Sequence, residues 1–97
     1  MKTYRIDGAR VGSAADLYAE IGRAVNGDGG YFGSNLDALA DCLRGGFGTP
    51  DEGGFRFVMT GYRQVRQVVG ERVWGTLLQV FTGEGVDLWL TDNPLPQ

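Results

Sequence analysis

Alternating apolar and polar residues predict three short β-strands in this chain. They cover Lys2–Asp7, residues 55–59 and residues 86–90. In the first of them, Tyr4 and Ile6 alternate with polar neighbours. A period of two places every second side chain on the same face of a sheet, so each stretch has one apolar face for a core to bury.

Apolar residues three and four positions apart predict helices between these strands. The predicted helices cover residues 14–25, 36–44, 62–69 and 73–81. Ser13 and Asn35 are suited to be N-caps, because their side chains can accept a hydrogen bond from the first helical turn. The first helix should end at Asn26 and Gly27 and the second at Gly45, since these residue types favour a helix C-terminus.

Helices separate all three strands, which is the pattern of crossover connections in a parallel sheet. The sequence therefore predicts an α/β fold in which a three-stranded parallel sheet is packed with three to four helices. The 97 residues are enough for one domain, 1–97, that buries its own core. Residues 93–96 are expected to form a tail.

Charge and composition exclude several function classes. The chain has no histidine, which removes Ser–His and Cys–His catalysis and imidazole metal sites. Its net charge is −3, and between Asp28 and Phe55 the only basic residue is Arg44. A nucleic-acid binder needs a basic footprint, so this balance argues against nucleic acid and favours a partner that is itself basic.

The remaining composition points to a cytoplasmic protein with no cofactor. No stretch approaches the roughly 20 apolar residues that span a bilayer, and the N-terminus does not resemble a signal peptide. The lone cysteine, Cys42, lies in an apolar helical pattern and should be a buried thiol. The glycine-rich loops contain neither of the common phosphate-binding patterns, so their glycines are expected to end helices and turn the chain.

The second predicted helix carries the most informative charges. Asp37 and Asp41 are four residues apart and share a face, with Arg44 between them on a helical projection. Three interpretations compete: a solvated helix face, a carboxylate pair for a divalent metal or acid–base chemistry, and a rigid acidic surface flanked by Tyr31 and Phe32 that binds a cationic site. Like charges at this spacing cost a helix a few tenths of a kcal/mol, so structure alone gives no reason for Asp41, and this favours a functional role over a merely solvated face.

The run from Tyr31 to Gly45, YFGSNLDALADCLRG, resembles the barstar family of intracellular inhibitors of secreted bacterial ribonucleases. The family pattern is two aromatics, a glycine, then asparagine, leucine, aspartate, alanine, leucine, a variable residue, aspartate, cysteine and leucine. Residues 4–8, 78–81 and 84–88 give weaker support. The resemblance implies a three-stranded parallel sheet packed with helices, in agreement with the pattern above.

The resemblance also implies a mechanism and a set of binding residues. Family members insert a helix and the loop before it into the ribonuclease active site, where carboxylates take the places of substrate phosphates. By this resemblance Asp41 is the central carboxylate, Asp37 a second acid, Tyr31 the aromatic that packs on a catalytic histidine, and Glu84 a peripheral acid. The partner-binding residues implied in this way are Tyr31, Phe32, Asn35, Leu36, Asp37, Ala40, Asp41, Arg44, Gly45, Gly46 and Glu84.

Departures from the family pattern leave the exact partner open. Ala40 and Gly46 stand where the best-known member has tryptophans, and Arg44 replaces a small hydroxyl residue. We expect a secreted guanyl-specific ribonuclease as the partner, no metal, and a monomer when the inhibitor is free. The alternatives are a barstar-like immunity or interaction protein for a toxin that is not a ribonuclease, and an enzyme that uses Asp37 and Asp41 on a divalent metal.

Overall fold

The computed structural model describes residues 1–50 and 54–92. In it the three strands pair in a single parallel sheet. The strands are β1 (Lys2–Asp7), β2 (Phe55–Thr60) and β3 (Asp87–Thr91), in the spatial order β1-β2-β3. The helices within the described ranges are α1 (Ala14–Asn26), α2 (Leu36–Arg44), α3 (Tyr62–Val69) and α4 (Glu71–Gly83), with a short 3-10 helix over Gly8–Arg10. The predicted α/β class with a three-stranded parallel sheet and helices is confirmed.

Most of the predicted boundaries agree with the structure. α4 begins two residues before the predicted start, because Gly70 ends α3 with a φ of 87° and its carbonyl then accepts a hydrogen bond from the Trp74 amide at 2.9 Å. β3 begins at Asp87 rather than Val86, which is buried in the turn and donates to the Phe81 carbonyl at 3.0 Å. The predicted tail from Asn93 onward lies outside the described residues.

The core lies on the helix-covered side of the sheet. Tyr4, Ile6, Phe57 and Met59 point into it from β1 and β2. The helices complete the core with Leu17, Ile21, Leu39, Cys42, Leu43, Val65, Trp74, Leu77 and Phe81. The central strand β2 is also buried at Val58 on its other face, where Arg5 and Trp89 are its neighbours in register. The neighbouring strands shield a central strand on both sides. More of its residues are therefore buried than the alternation of apolar and polar residues along the strand predicts.

A buried carboxylate joins α1 to the edge strand β1. The Glu20 side chain is only 3% exposed, and its Oε2 accepts a hydrogen bond from the Asp7 amide at 2.7 Å. Arg23, one turn later on α1, donates to both carboxylate oxygens of Glu20 at 2.6 Å. Charge-assisted bidentate bonds are among the strongest in proteins. The Arg23 bonds hold the Glu20 carboxylate in position within α1, and the bond from the Asp7 amide joins that carboxylate, and with it the helix, to β1.

None of the helices in residues 1–50 and 54–92 combines the length and the apolar character that a membrane span requires.

Candidate protein-binding site

Local sequence determines where α2 begins and ends. Asn35 is its N-cap, and its Oδ1 accepts a hydrogen bond from the Ala38 amide at 2.8 Å. The helix ends at Gly45, whose φ of 133° disfavours other residue types, and the Gly45 amide donates to the Cys42 carbonyl at 3.2 Å. Both predicted ends are confirmed. Asn35 therefore has a structural task at this site, whatever else it contacts.

α2 is amphipathic and presents its acidic side to solvent. Leu39, Cys42 and Leu43 are buried in the core, where α2 packs against α4. Asp37 and Asp41 are exposed on the other side, and 65% of the Asp41 side chain is accessible. The core thus holds the helix rigidly while both carboxylates remain available to a partner.

Arg44 connects the acidic face of α2 to the end of α4. Its guanidinium donates to both carboxylate oxygens of Glu84, at 2.9 and 3.0 Å, and to Asp41 Oδ1 at 2.7 Å. These two acids raise the pKa of Arg44, mainly through the hydrogen bonds to Glu84. Glu84 caps α4, and only 18% of its side chain is exposed. The structure therefore brings Asp41, Arg44 and Glu84 into one network, with one oxygen of Asp41 already held in place.

The loop before α2 sends its two aromatic side chains in opposite directions. Tyr31 is 54% exposed, as expected for a residue on a binding surface. Phe32 is 1% exposed, and its ring centroid lies 6.1 Å from that of Phe57 in the core. The expectation that Phe32 flanks the exposed acidic face was wrong, because the ring fills the space between the loop and the sheet. A Cβ on Gly33, next along the chain, would lie 2.7 Å from the Leu39 amide nitrogen, so the loop packs directly on α2.

The other sequence-predicted residues lie on or beside the same surface. Leu36 and Ala40 are half-buried, and Leu36 packs against the core. Gly45 is half-buried and Gly46 is exposed, both at the end of α2. These positions offer backbone and small apolar area rather than large side chains.

Two residues of this region escaped the sequence analysis. Asn26, the last residue of α1, donates from Nδ2 to the carbonyls of Tyr31 and Phe47, each at 2.8 Å. Phe47, two residues after the helix end at Gly45, is 46% exposed. In the sequence Asn26 looked like a helix terminator and Phe47 like a loop residue. An exposed aromatic in a glycine-rich loop was the signal that could have identified Phe47.

The predicted burial of Cys42 is confirmed. Desolvation raises the pKa of its thiol, and the neighbouring charge of Asp41 adds to the effect. A thiol that keeps its proton is a poor nucleophile, so this cysteine acts as part of the core. Among the described residues, no group of three or more Cys, Asp or Glu side chains is arranged to hold a metal ion.

The arrangement is suited to binding the cationic side chains of a partner rather than to catalysis. It consists of two exposed carboxylates on a rigid helix, a third carboxylate held by Arg44, and an exposed tyrosine in the loop before the helix. Carboxylates of this kind accept short, charge-assisted hydrogen bonds from arginine and lysine side chains.

Comparison with known proteins shows the family of the chain. A search of curated proteins gives no match. The family model described as Barstar (barnase inhibitor) matches residues 1–93, which is nearly the whole chain. The chain belongs to the barstar family.

Proposed function

We propose that this protein inhibits a secreted bacterial guanyl-specific ribonuclease by inserting α2 and the preceding loop into its active site. The observation that carries the proposal is Asp41, exposed on a helix that the core holds rigidly and oriented by Arg44. A cleft built to bind RNA phosphates is lined with cations, and a positioned carboxylate can take the place of a phosphate there. Family membership supports inhibition as the activity.

In this proposal the residues of the surface have distinct tasks. Asp41 meets the enzyme's cations, and Asp37 adds a second charge on the same face. Tyr31 supplies an exposed ring that can pack on the enzyme. Arg44 and Glu84 form the edge of the surface, where the Arg44 side chain is 62% exposed and holds the largely covered Glu84 carboxylate. The inhibitor would act in the cytoplasm of the cell that secretes the enzyme, protecting the cell's own RNA.

The proposal is tested by titrating the protein into barnase and a panel of other guanyl-specific microbial ribonucleases with a fluorogenic RNA substrate. Cleavage by at least one of them should fall linearly to zero at one inhibitor per enzyme, and the inhibitor alone should cleave no RNA. Asp41→Ala should lose this stoichiometric inhibition. Asp92→Ala is a matched control, because that exposed acid pairs with Arg63 after the carboxyl end of β3, whereas Glu84 precedes the amino end of the same strand. Full activity of every enzyme at micromolar inhibitor would refute the proposal.

A further inference from the structure

We propose that the partner-binding surface includes a second aromatic ring, Phe47, and that Asn26 holds this ring and Tyr31 in place before the partner arrives. We call residues 27–35, before α2, the entry loop and residues 45–50, after it, the exit loop. The inference rests on the proposed function, because it extends the same surface. It assigns a contact residue and a positioning residue that neither the family pattern nor the acidic helix identifies.

Asn26 ties the two loops together at their backbones. Its side-chain amide has two hydrogens, and Nδ2 donates to the Tyr31 carbonyl and the Phe47 carbonyl, each at 2.8 Å. The two carbonyl oxygens therefore lie within twice that distance of each other. In each loop the hydrogen bond is made to the backbone of the residue that carries the exposed ring. Asn26 therefore fixes the backbone positions from which the Tyr31 and Phe47 side chains extend.

The tie is anchored on a fixed element. Asn26 ends α1, and Glu20 of that helix accepts a hydrogen bond from the Asp7 amide of β1 while Arg23, on the same helix, holds the Glu20 carboxylate in position. Gly48, next to Phe47, leaves room for the Asn26 side chain, because a Cβ at that position would overlap its amide group. The exit loop is thus shaped around this asparagine.

Tyr31 and Phe47 are unusual among the aromatic residues of the chain. Most of the others lie in or against the core, and the exposed ring of Trp89 is covered on one face by the Arg56 guanidinium, 4.2 Å from its centroid. Tyr31 and Phe47 are 54% and 46% exposed, in the loops that directly precede and follow α2. Rigid aromatic side chains at such positions are enriched in protein interfaces and among the residues that dominate binding energy.

The surface therefore fits a partner of defined chemistry. The partner has a central cleft lined with cations, which receives Asp41. The rim of that cleft carries apolar or planar groups, such as aromatic rings or guanidinium planes, against which Tyr31 and Phe47 pack. Phe47 directly follows Gly46, where the resemblance implies a lost tryptophan. A ring at the next position restores aromatic contact on this side of the helix.

Binding kinetics on a ribonuclease that the wild type inhibits test the contact. Phe47→Ala should raise the dissociation constant about tenfold, mainly through faster dissociation. Val68→Ala is the matched control, since this exposed apolar side chain lies on α3, and it should change the constant less than twofold. Asn26→Ala should weaken binding to a similar extent. In the double variant with Phe47→Ala, the loss of binding free energy should be smaller than the sum of the losses in the two single variants.

Amide hydrogen exchange in the free protein tests the positioning role. Asn26→Ala should accelerate exchange in both the entry and exit loops, whereas Phe47→Ala should leave both rates unchanged. Asn26→Asp keeps the size of the side chain but lacks the donors, so it should behave like Asn26→Ala. Unchanged exchange in both Asn26 variants would overturn the positioning role.

The outcomes separate this inference from the proposed function. If Asp41→Ala weakens binding and Phe47→Ala does not, the second aromatic contact is wrong and the inhibitor function stands. If the wild type binds none of the ribonucleases, both are wrong. Weaker binding of the ribonuclease by Phe47→Ala, together with unchanged binding by Val68→Ala, supports the inference.

Discussion

Replacing Asp41 by alanine separates binding from stability more sharply than any other single change on this surface. In the free protein 65% of the side chain is exposed, and its hydrogen bond to Arg44 joins two groups that both face solvent. Exposed ion pairs contribute little, and removing Asp41 also relieves the repulsion from Asp37 four residues earlier. The free energy of unfolding should therefore change by no more than about 0.5 kcal/mol.

Binding should respond very differently. In the complex the same truncation leaves several enzyme cations buried without their partner. Truncations of this kind cost about 2–5 kcal/mol of binding free energy, a range that includes measurements on barstar and its own ribonuclease. This corresponds to about a 30- to 5,000-fold increase in the dissociation constant. Most of the increase should appear as faster dissociation, because the loss affects the docked state.

The neighbouring charges give a ranking that tests the geometry. Asp37→Ala should weaken binding less than Asp41→Ala, since part of the role of Asp37 is to favour the helix N-terminus. Arg44→Ala should change affinity least. Because it removes a positive charge beside Asp41, it should accelerate association with a cationic cleft at low salt, and the gain should fade as salt is added.

Stopped-flow fluorescence and titration calorimetry on the three variants measure the ranking, and urea unfolding measures stability. An Asp41→Ala variant that binds as tightly as wild type would remove the active-site plug as a mechanism. A loss of stability above about 1 kcal/mol in the same variant would show that Asp41 supports the fold, contrary to its exposure.

Three further predictions concern buried residues of the protein. Cys42→Ala should cost about 1–2 kcal/mol in urea unfolding and leave inhibition intact, whereas rapid labelling of the native thiol would contradict its burial. Because burial raises the pKa of this thiol, the folded state keeps its proton longer than the unfolded state. Stability should then decline as the pH rises above the ordinary thiol pKa, and the decline should be smaller in Cys42→Ala. Glu20→Ala should cost about 2–4 kcal/mol, because the Asp7 amide loses its acceptor and Arg23, still partly solvated, loses its partner; a cost below 1 kcal/mol would contradict this account.

The sequence alone determined the secondary structure and the orientation of α2. Apolar spacing, the Asn35 cap and the terminating Gly45 are local signals, and local signals specify where a helix begins, where it ends and which of its faces is apolar. The burial of Cys42 and the exposure of Asp37 and Asp41 followed from the same spacing. These predictions succeeded because every interaction behind them lies within a few residues along the chain.

Only the tertiary structure decided how distant residues meet. Arg44 and Glu84 are 40 positions apart and Asn26 and Phe47 are 21 apart, and no periodic pattern specifies such pairs. Tyr31 and Phe32 are adjacent in a loop without a period, so the sequence could not indicate which ring enters the core. Packing decided it: the Phe32 ring is 1% exposed with its centroid 6.1 Å from that of Phe57, whereas Tyr31 is 54% exposed. The strand order β1-β2-β3 likewise depends on how the helices cover the sheet, which is a property of the whole core.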